Sequence, residues 1–419
     1  MKVLLKSAKI IDSKNKELHL KKRDILIVNG IIEKIAGSIT PPQKTQVITH
    51  KDLHVSIGWF DTGVSFGEPG YEERETIANG LQCAAKSGFT DIVLNPNSNP
   101  LPDSSSDVVF LKNASKDQLT GLHPLGNLTF NGEGESLAEM FDMKNSGAVG
   151  FYDYKNAVSN PNLLKIALQY AQGFNGTICS FPLDTKIAGK GVVNEGEEST
   201  QLGLKGIPAL AEELNVARDL YILEYTGGKL HIPTISTKNA VGLIAAAKKK
   251  GLNVSCSVAI HNLLFNDTTL REFDTNFKTL PPLRTKADSK ELIKGVKNGT
   301  IDFVTTDHTP LNIELKQVEF DNASHGTIGL ESAFGGLQTV LDLETSIELL
   351  TKGRETFGMK TPMLKEGMPA SLTIFEPNTT YQFSTSNIQS ASKNSMFLGT
   401  TLKGKVLGTL ARNKLMLNF

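Results

Sequence analysis

The sequence predicts an α/β protein: a parallel (β/α)8 TIM barrel with a small β domain built from both chain termini. Three observations predict it. Short apolar runs recur at 59–65, 89–95, 122–129, 148–153, 177–182, 230–235, 253–259 and 302–307. Between most of them lie stretches with apolar residues three and four apart, which is the helical period. The two ends of the chain instead read as strands. Strands that alternate with helices form a parallel sheet covered by helices, and eight such units close a barrel.

Taken in order, Val3–Ile11 alternates apolar and polar residues, and Ile25–Ile35 carries Asn29-Gly30 between two β-branched runs. Asn-Gly is the strongest short hairpin signal. From Trp59 the pattern changes to runs separated by helical stretches at 75–88, 161–174, 207–228, 236–251 and 289–299. Gly88, Gly228 and Gly251 stand where three of these helices should stop. The stretch 189–206 reads as the most loop-like part of the chain. After about residue 365, ASLTIFEP and LGTTLKGKVLGTLARNKLML return to strand character. The expected division is therefore 1–55 and 365–419 for the small β domain and 56–364 for the barrel, which is within the size range of that fold.

Composition narrows the function classes. The 419 residues hold 44 Lys and Arg against 44 Asp and Glu, a net charge of zero with neutral His. Neither nucleic acid nor a membrane is expected as a partner, since both attract a basic protein. The three cysteines, Cys83, Cys179 and Cys256, are widely spaced. That pattern excludes a disulfide scaffold and a cysteine zinc knuckle, and it suits a reducing cytoplasm. The N-terminal MKVLLKSAKIIDSKNK lacks the apolar stretch of a signal peptide, and no window approaches the ~20 apolar residues of a membrane span. A cytoplasmic protein is the expectation.

Four segments carry a family resemblance: FGEPGYEERETIANGLQCAAKSGFTDIVLNPNSNP (66–100), GVVNEGEESTQLGLKGIPALAEELNVARDL (191–220), DTNFKTLPPLRTKADSKELIKGVKNGTIDFVTTDHTP (274–310) and GTIGLESAFGGLQ (326–338). Together with the tail SASKNSMFLGTTLKGKV they make the chain resemble dihydroorotase, in the cyclic-amidohydrolase branch of the amidohydrolase superfamily. The resemblance implies the barrel and flanking β domain, and a binuclear site, usually zinc, that activates water and polarises the scissile amide.

The same resemblance locates the departures. The family's first strand ends D-x-H-x-H-x-R, and here the stretch is Asp61-Thr62-Gly63-Val64-Ser65-Phe66-Gly67. Gly63 and Ser65 stand at two ligand positions, and Gly67 stands where the family places an arginine for the substrate carboxylate. At the fifth strand Phe181 takes a ligand position, and at the sixth Thr234 does. Glycine and phenylalanine offer no donor, and neutral hydroxyls are poor zinc ligands beside imidazole. Asp153 matches the acidic ligand of the fourth strand. Asp307 matches the eighth-strand aspartate, ligand and proton shuttle, here as a vestigial catalytic position. Leu311 replaces a second histidine of that motif. Asn97 and Asn276 match substrate-binding positions.

Read this way, the chain is a pseudoenzyme of pyrimidine biosynthesis with no metal expected. It would act as a structural or regulatory partner, with aspartate carbamoyltransferase or self-association as candidate contacts. The alternative is an active dihydroorotase, or a related cyclic-amide hydrolase, with zinc in a reduced site around Asp153, Asp307 and an imported ligand such as His261. A third reading is a ligand-binding sensor that keeps Asn97 and Asn276 as a clamp. His308 and His231 are expected to be wall or core residues, and the cysteines small core residues.

Overall fold

The computed structural model describes residues 1–418. Eight parallel strands form one sheet in sequence order: Trp59–Val64, Phe89–Leu94, Gly121–Gly126, Gly150–Tyr152, Ile178–Cys179, Leu230–Ile232, Val254–Ala259 and Phe303–Thr305. The first and last come together at their C-terminal ends. Val64 bridges His308 in parallel, and Ser65 N donates to His308 O at 2.8 Å. This is the expected (β/α)8 barrel.

The helices start where their sequences supply caps. Thr76 Oγ1 accepts from Asn79 N ahead of Ile77–Lys86. Thr285 and Asp288 form a reciprocal capping box at Lys286–Lys297. Helices Pro161–Ala171, Ala209–Thr226 and Lys238–Lys249 fall inside the predicted stretches. Further helices at Ser105–Ala114, Met140–Ser146 and Leu343–Thr351 complete much of the outer layer.

The ends of the chain share a second sheet. Lys2–Ile10 pairs with Lys22–Val28, Gln46–Ile48 and His54–Ile57. His54–Ile57 then pairs with Leu372–Gln382, which continues to Thr401–Ala411 and Lys414–Leu417. Asn29-Gly30 makes the expected hairpin, with both residues at positive φ and Val28 opposite Ile31. The sheet buries its own apolar cluster, including Val3, Ile25, Val55 and Ile374. It is clamped to the barrel by Arg412, whose guanidinium donates to Asp91 Oδ1 at 2.5 Å on the second barrel strand.

One expectation needs correcting. The stretch 189–206 is not a plain loop: Val193–Asn194 pairs in parallel with Gly206–Ile207 across the helix Glu197–Leu202. Its glycines hid the pattern, because each strand has only two residues. Among the described residues no helix is long and apolar enough to cross a membrane.

Candidate functional site

The C-terminal ends of barrel strands are where this fold places chemistry. Three residues that are not glycine hold left-handed backbone there: Lys155 (φ 52°), Thr234 (φ 53°) and Asp307 (φ 47°), just past strands four, six and eight. Such conformations cost about 1–3 kcal/mol each and gather at functional sites. Around this mouth the polar side chains are buried, and their partners decide what the site can do.

Asp61 lies on the first strand and is buried. Its carboxylate accepts from Gly63 N at 3.1 Å, from Thr305 Oγ1 at 2.7 Å and from both N and Oγ1 of Thr306. Burial pushes its carboxyl up to about 6 in spite of these donors. It links the first strand to the eighth. Gly63 leaves little room, since a Cβ there would sit 3.0 Å from Thr305 Oγ1. Ser65 is buried and its hydroxyl accepts from Asn95 Nδ2 at 3.2 Å.

Gly67 leaves no room for a side chain. A Cβ on Gly67 would overlap the carbonyl oxygen of Tyr71. The backbone is fixed in that approach by Tyr71 N donating to Gly67 O and Gly67 N donating to Glu75 O, both at 2.9 Å.

Asp153 is fully engaged. Its Oδ1 accepts from Leu128 N (3.0 Å) and Thr129 N (2.9 Å), and its Oδ2 from Thr129 Oγ1 (2.6 Å). It joins the end of the fourth strand to the turn after the third. Burial raises its pKa against the pull of those donors.

Asp307 has a cation beside it. Lys155 Nζ donates to its Oδ2 at 2.8 Å, and the two side chains are 12% and 4% exposed. Burial raises the Asp307 pKa, and the Lys155 charge works against that rise. Burial also opposes the Lys155 charge, but the carboxylate outweighs it and holds the ammonium above its ordinary range. Tyr154, between Asp153 and Lys155 in the chain, shares a hydrogen bond with Thr309 Oγ1 at 3.1 Å. Sequence reasoning passed over Lys155. The available signal was a lysine directly beyond the end of a barrel strand, two residues after Asp153.

Phe181 packs into the apolar barrel interior with Phe60, Tyr152, Cys179, Phe303 and Phe357. Thr234 Oγ1 is buried without a hydrogen-bond partner. His231 stacks on Phe303 at 5.2 Å, and its Nδ1 meets Ser255 Oγ at 2.9 Å. Burial drives its pKa down to about 3. His308 is buried, and its Nδ1 accepts from Gly329 N and Leu330 N, a wall role as expected. His261 is the second residue of the helix Ile260–Leu264 and is buried with neither ring nitrogen partnered. All three cysteines are free and buried.

The space left at the mouth is small. A cavity of about 20 Å³ is lined by Gly63, Tyr154, His231, Thr234 and Asp307, among others. That is room for about one water, where small-molecule pockets run to ~300 Å³ or more. Ser65, Asp153 and Phe181 do not line it. Nor does either candidate substrate contact. Asn97 Nδ2 is committed to Phe66 O at 2.9 Å, and Asn276 faces a separate surface groove of about 880 Å³ with Lys316 and Asn394.

These residues do not fit a divalent metal. Among the described residues no three His, Cys, Asp or Glu side chains converge as a ligand set. One remaining carboxylate is saturated by backbone and hydroxyl donors, and the other already carries an ammonium.

Comparison with known proteins agrees on the lineage. Residues 54–240 match the family model described as dihydro-orotase-like. The chain is 37% identical over 424 residues to a dihydroorotase of Geobacter sp. (strain M21), with 99% of each covered. It is 38% identical over 413 residues to one from Ruminiclostridium cellulolyticum, covering 97% of this chain and 96% of that protein. Among solved structures, L-hydantoinase (dihydropyrimidinase) from Arthrobacter aurescens superposes with a TM-score of 0.86 at 20% identity, over 99% of this chain and 96% of its own; that likeness speaks for the fold. On the strength of its full-length relatives, this chain belongs to the dihydroorotase family.

Proposed function

We propose that this chain is a non-catalytic member of the dihydroorotase family, in which the metal-ligand histidines are replaced. The observation that carries the reading is the Lys155–Asp307 ion pair, buried beside a mouth cavity of about 20 Å³. A carboxylate that must bind metal and shuttle a proton is instead neutralised by a neighbouring ammonium. The family's first-strand ligand positions hold Gly63 and Ser65, and those of strands five and six hold Phe181 and Thr234. The closed Gly67 backbone supports the same reading, because no guanidinium reaches a substrate carboxylate from that position.

The role that suits such a chain is that of a structural or regulatory partner in pyrimidine biosynthesis, with aspartate carbamoyltransferase as its contact. What supports it is the retention of the whole fold beside a closed mouth. The test is direct. Purified protein is assayed for interconversion of dihydroorotate and carbamoyl aspartate with and without added zinc, and its metal content is measured by elemental analysis. The expected result is no turnover and well under one metal per chain. Zinc-dependent turnover at near-stoichiometric metal would overturn the proposal. Pull-down of the tagged chain from its native source is expected to recover the transcarbamoylase; its consistent absence would remove the partner assignment.

A further inference from the structure

The net charge of zero conceals a division. The terminal segments 1–55 and 365–419 hold 17 Lys and Arg against 7 Asp and Glu, while residues 56–364 hold 27 against 37. The segments that carry the terminal sheet therefore have a net charge of +10, and the barrel has −10. At a molecular surface each patch acts by itself, because the Debye length is only about 8 Å at physiological salt. The opposed charges also orient the molecule, basic end first, towards any anionic surface.

The strand register gathers the cations. Lys9 stands opposite Lys22 on the paired strands Lys2–Ile10 and Lys22–Val28. Lys34 stands opposite Leu26, which on its other side meets Leu4, between Lys2 and Lys6. Cross-strand partners and alternate residues share a face, so Lys2, Lys6, Lys9, Lys22 and Lys34 lie on one side of the sheet along roughly 20 Å. Asp24 is the one carboxylate that the register sets among them, and Lys6 Nζ donates to it at 2.7 Å. Among the described residues, Lys6 alone of the five is in an ion pair. Like charges directly opposite one another weaken a sheet, so the Lys9–Lys22 pair does nothing for the fold.

Apolar side chains stand open among these lysines. Met1, Leu20, Ile31 and Val47 are between 36% and 45% exposed. Ile31 is opposite Val28 and Val47 opposite Leu4, which sets both beside Lys2. Leu20 directly precedes Lys21, Lys22 and Arg23, and it is held at φ 62°, a conformation bulky residues rarely adopt. Residues 1–55 contain no Phe, Tyr or Trp, and one arginine among eleven cations. Nucleic acids are gripped by stacking aromatics and arginine forks. A bilayer of anionic lipid needs only ammonium groups near its headgroups and apolar tips that enter the boundary.

We infer that the lysine face of the terminal sheet docks on an anionic lipid surface, with Leu20 and Val47 entering the headgroup boundary. Co-sedimentation of the full chain with vesicles tests it, using equal parts phosphatidylcholine and phosphatidylglycerol against phosphatidylcholine alone. The expected result is binding to the anionic vesicles only, weakened by added salt. Each lysine near such a surface contributes about fivefold in affinity, so Lys2→Glu with Lys34→Glu, and separately Lys9→Glu with Lys22→Glu, should each lower binding about 25-fold or more. Lys286→Glu with Lys290→Glu on the barrel changes the net charge equally and should leave binding as it was. Lys2 and Lys34 are exposed, so that variant's melting curve should match the parent's. Leu20→Ser with Val47→Ser should weaken vesicle binding and leave its salt dependence in place. No binding to the anionic vesicles at low salt overturns the inference, as does binding that the barrel pair weakens as much as the sheet pairs. Binding of a short DNA duplex as tight as that of the vesicles, with the serine pair without effect on either, overturns it in favour of a nucleic acid.

Discussion

The Nζ of Lys155, from just past the fourth barrel strand, lies 2.8 Å from the Oδ2 of Asp307, from just past the eighth. Asp307 is buried and the Lys155 side chain is only 12% exposed, so each charge depends largely on the other for its solvation. Removing one partner of such a pair typically costs ~3–5 kcal/mol, while removing both is far milder. Lys155→Met is therefore expected to lose about 3 kcal/mol or more, and Lys155→Met with Asp307→Asn to regain most of it. Urea denaturation of the single and double variants measures the coupling. Simple additivity of the two losses would show that the pair does not act as a unit.

Gly67 is a position where the backbone itself excludes a side chain. A methyl group there meets the Tyr71 carbonyl oxygen, and the two hydrogen bonds that set the approach must give way. Gly67→Ala is expected to cost about 1–3 kcal/mol, the range for forced overpacking, or more if the turn cannot move. Gly37→Ala is the control, since an added Cβ there meets nothing within 4 Å. Equal melting temperatures for the two variants would refute the close approach.

Stability should be indifferent to divalent metal. A ligand that binds only the folded state stabilises it by ~2.7 kcal/mol at a hundred times its dissociation constant. Under the proposed reading, and with no convergent ligand set among the described residues, zinc has no folded-state site and a chelator has nothing to remove. Thermal melts in excess zinc, in buffer and in EDTA are expected to coincide. A rise with zinc that EDTA reverses, and that Asp307→Asn abolishes, would place a metal at the mouth.

The barrel was legible because its signals are periodic: the strand runs and helical spacings survive in a single sequence, and Asn29-Gly30 marks its hairpin outright. The identities of Gly63, Ser65, Phe181 and Thr234, where the family resemblance led one to expect ligands, need only be read off. What sequence could not convey was who satisfies whom. Asp153 and Asp307 look equivalent as text. One is consumed by Leu128 and Thr129 and the other by Lys155, because strand ends that are far apart in sequence meet at the mouth. Asn97 likewise resembles a substrate contact, and its Nδ2 is bonded to Phe66 O just past the first barrel strand. The 189–206 segment was misread because two-residue strands are too short to display alternation.

His261 should make the fold acid-sensitive. Burial, with a smaller contribution from Lys155, lowers its pKa to about 3, against ~6.5 in an unfolded chain. Below pH ~6.5 the unfolded state takes up a proton that the folded state refuses. The stability associated with the neutral ring is therefore complete above the unfolded pKa and is lost as pH falls towards the folded one. His231 and His325 are lowered to about 3 as well, so the three act in the same direction. Neither ring nitrogen of His261 has a hydrogen-bond partner, so replacing the ring with a hydrocarbon one leaves no donor stranded. His261→Phe is expected to match the parent near pH 7 and to exceed it by about 2 kcal/mol near pH 5. His308→Phe should instead be destabilised at both, because its Nδ1 accepts from Gly329 N and Leu330 N. Urea melts at the two pH values decide the matter, and parallel pH profiles for the parent and His261→Phe would mean that this imidazole is protonated as readily inside the fold as outside it.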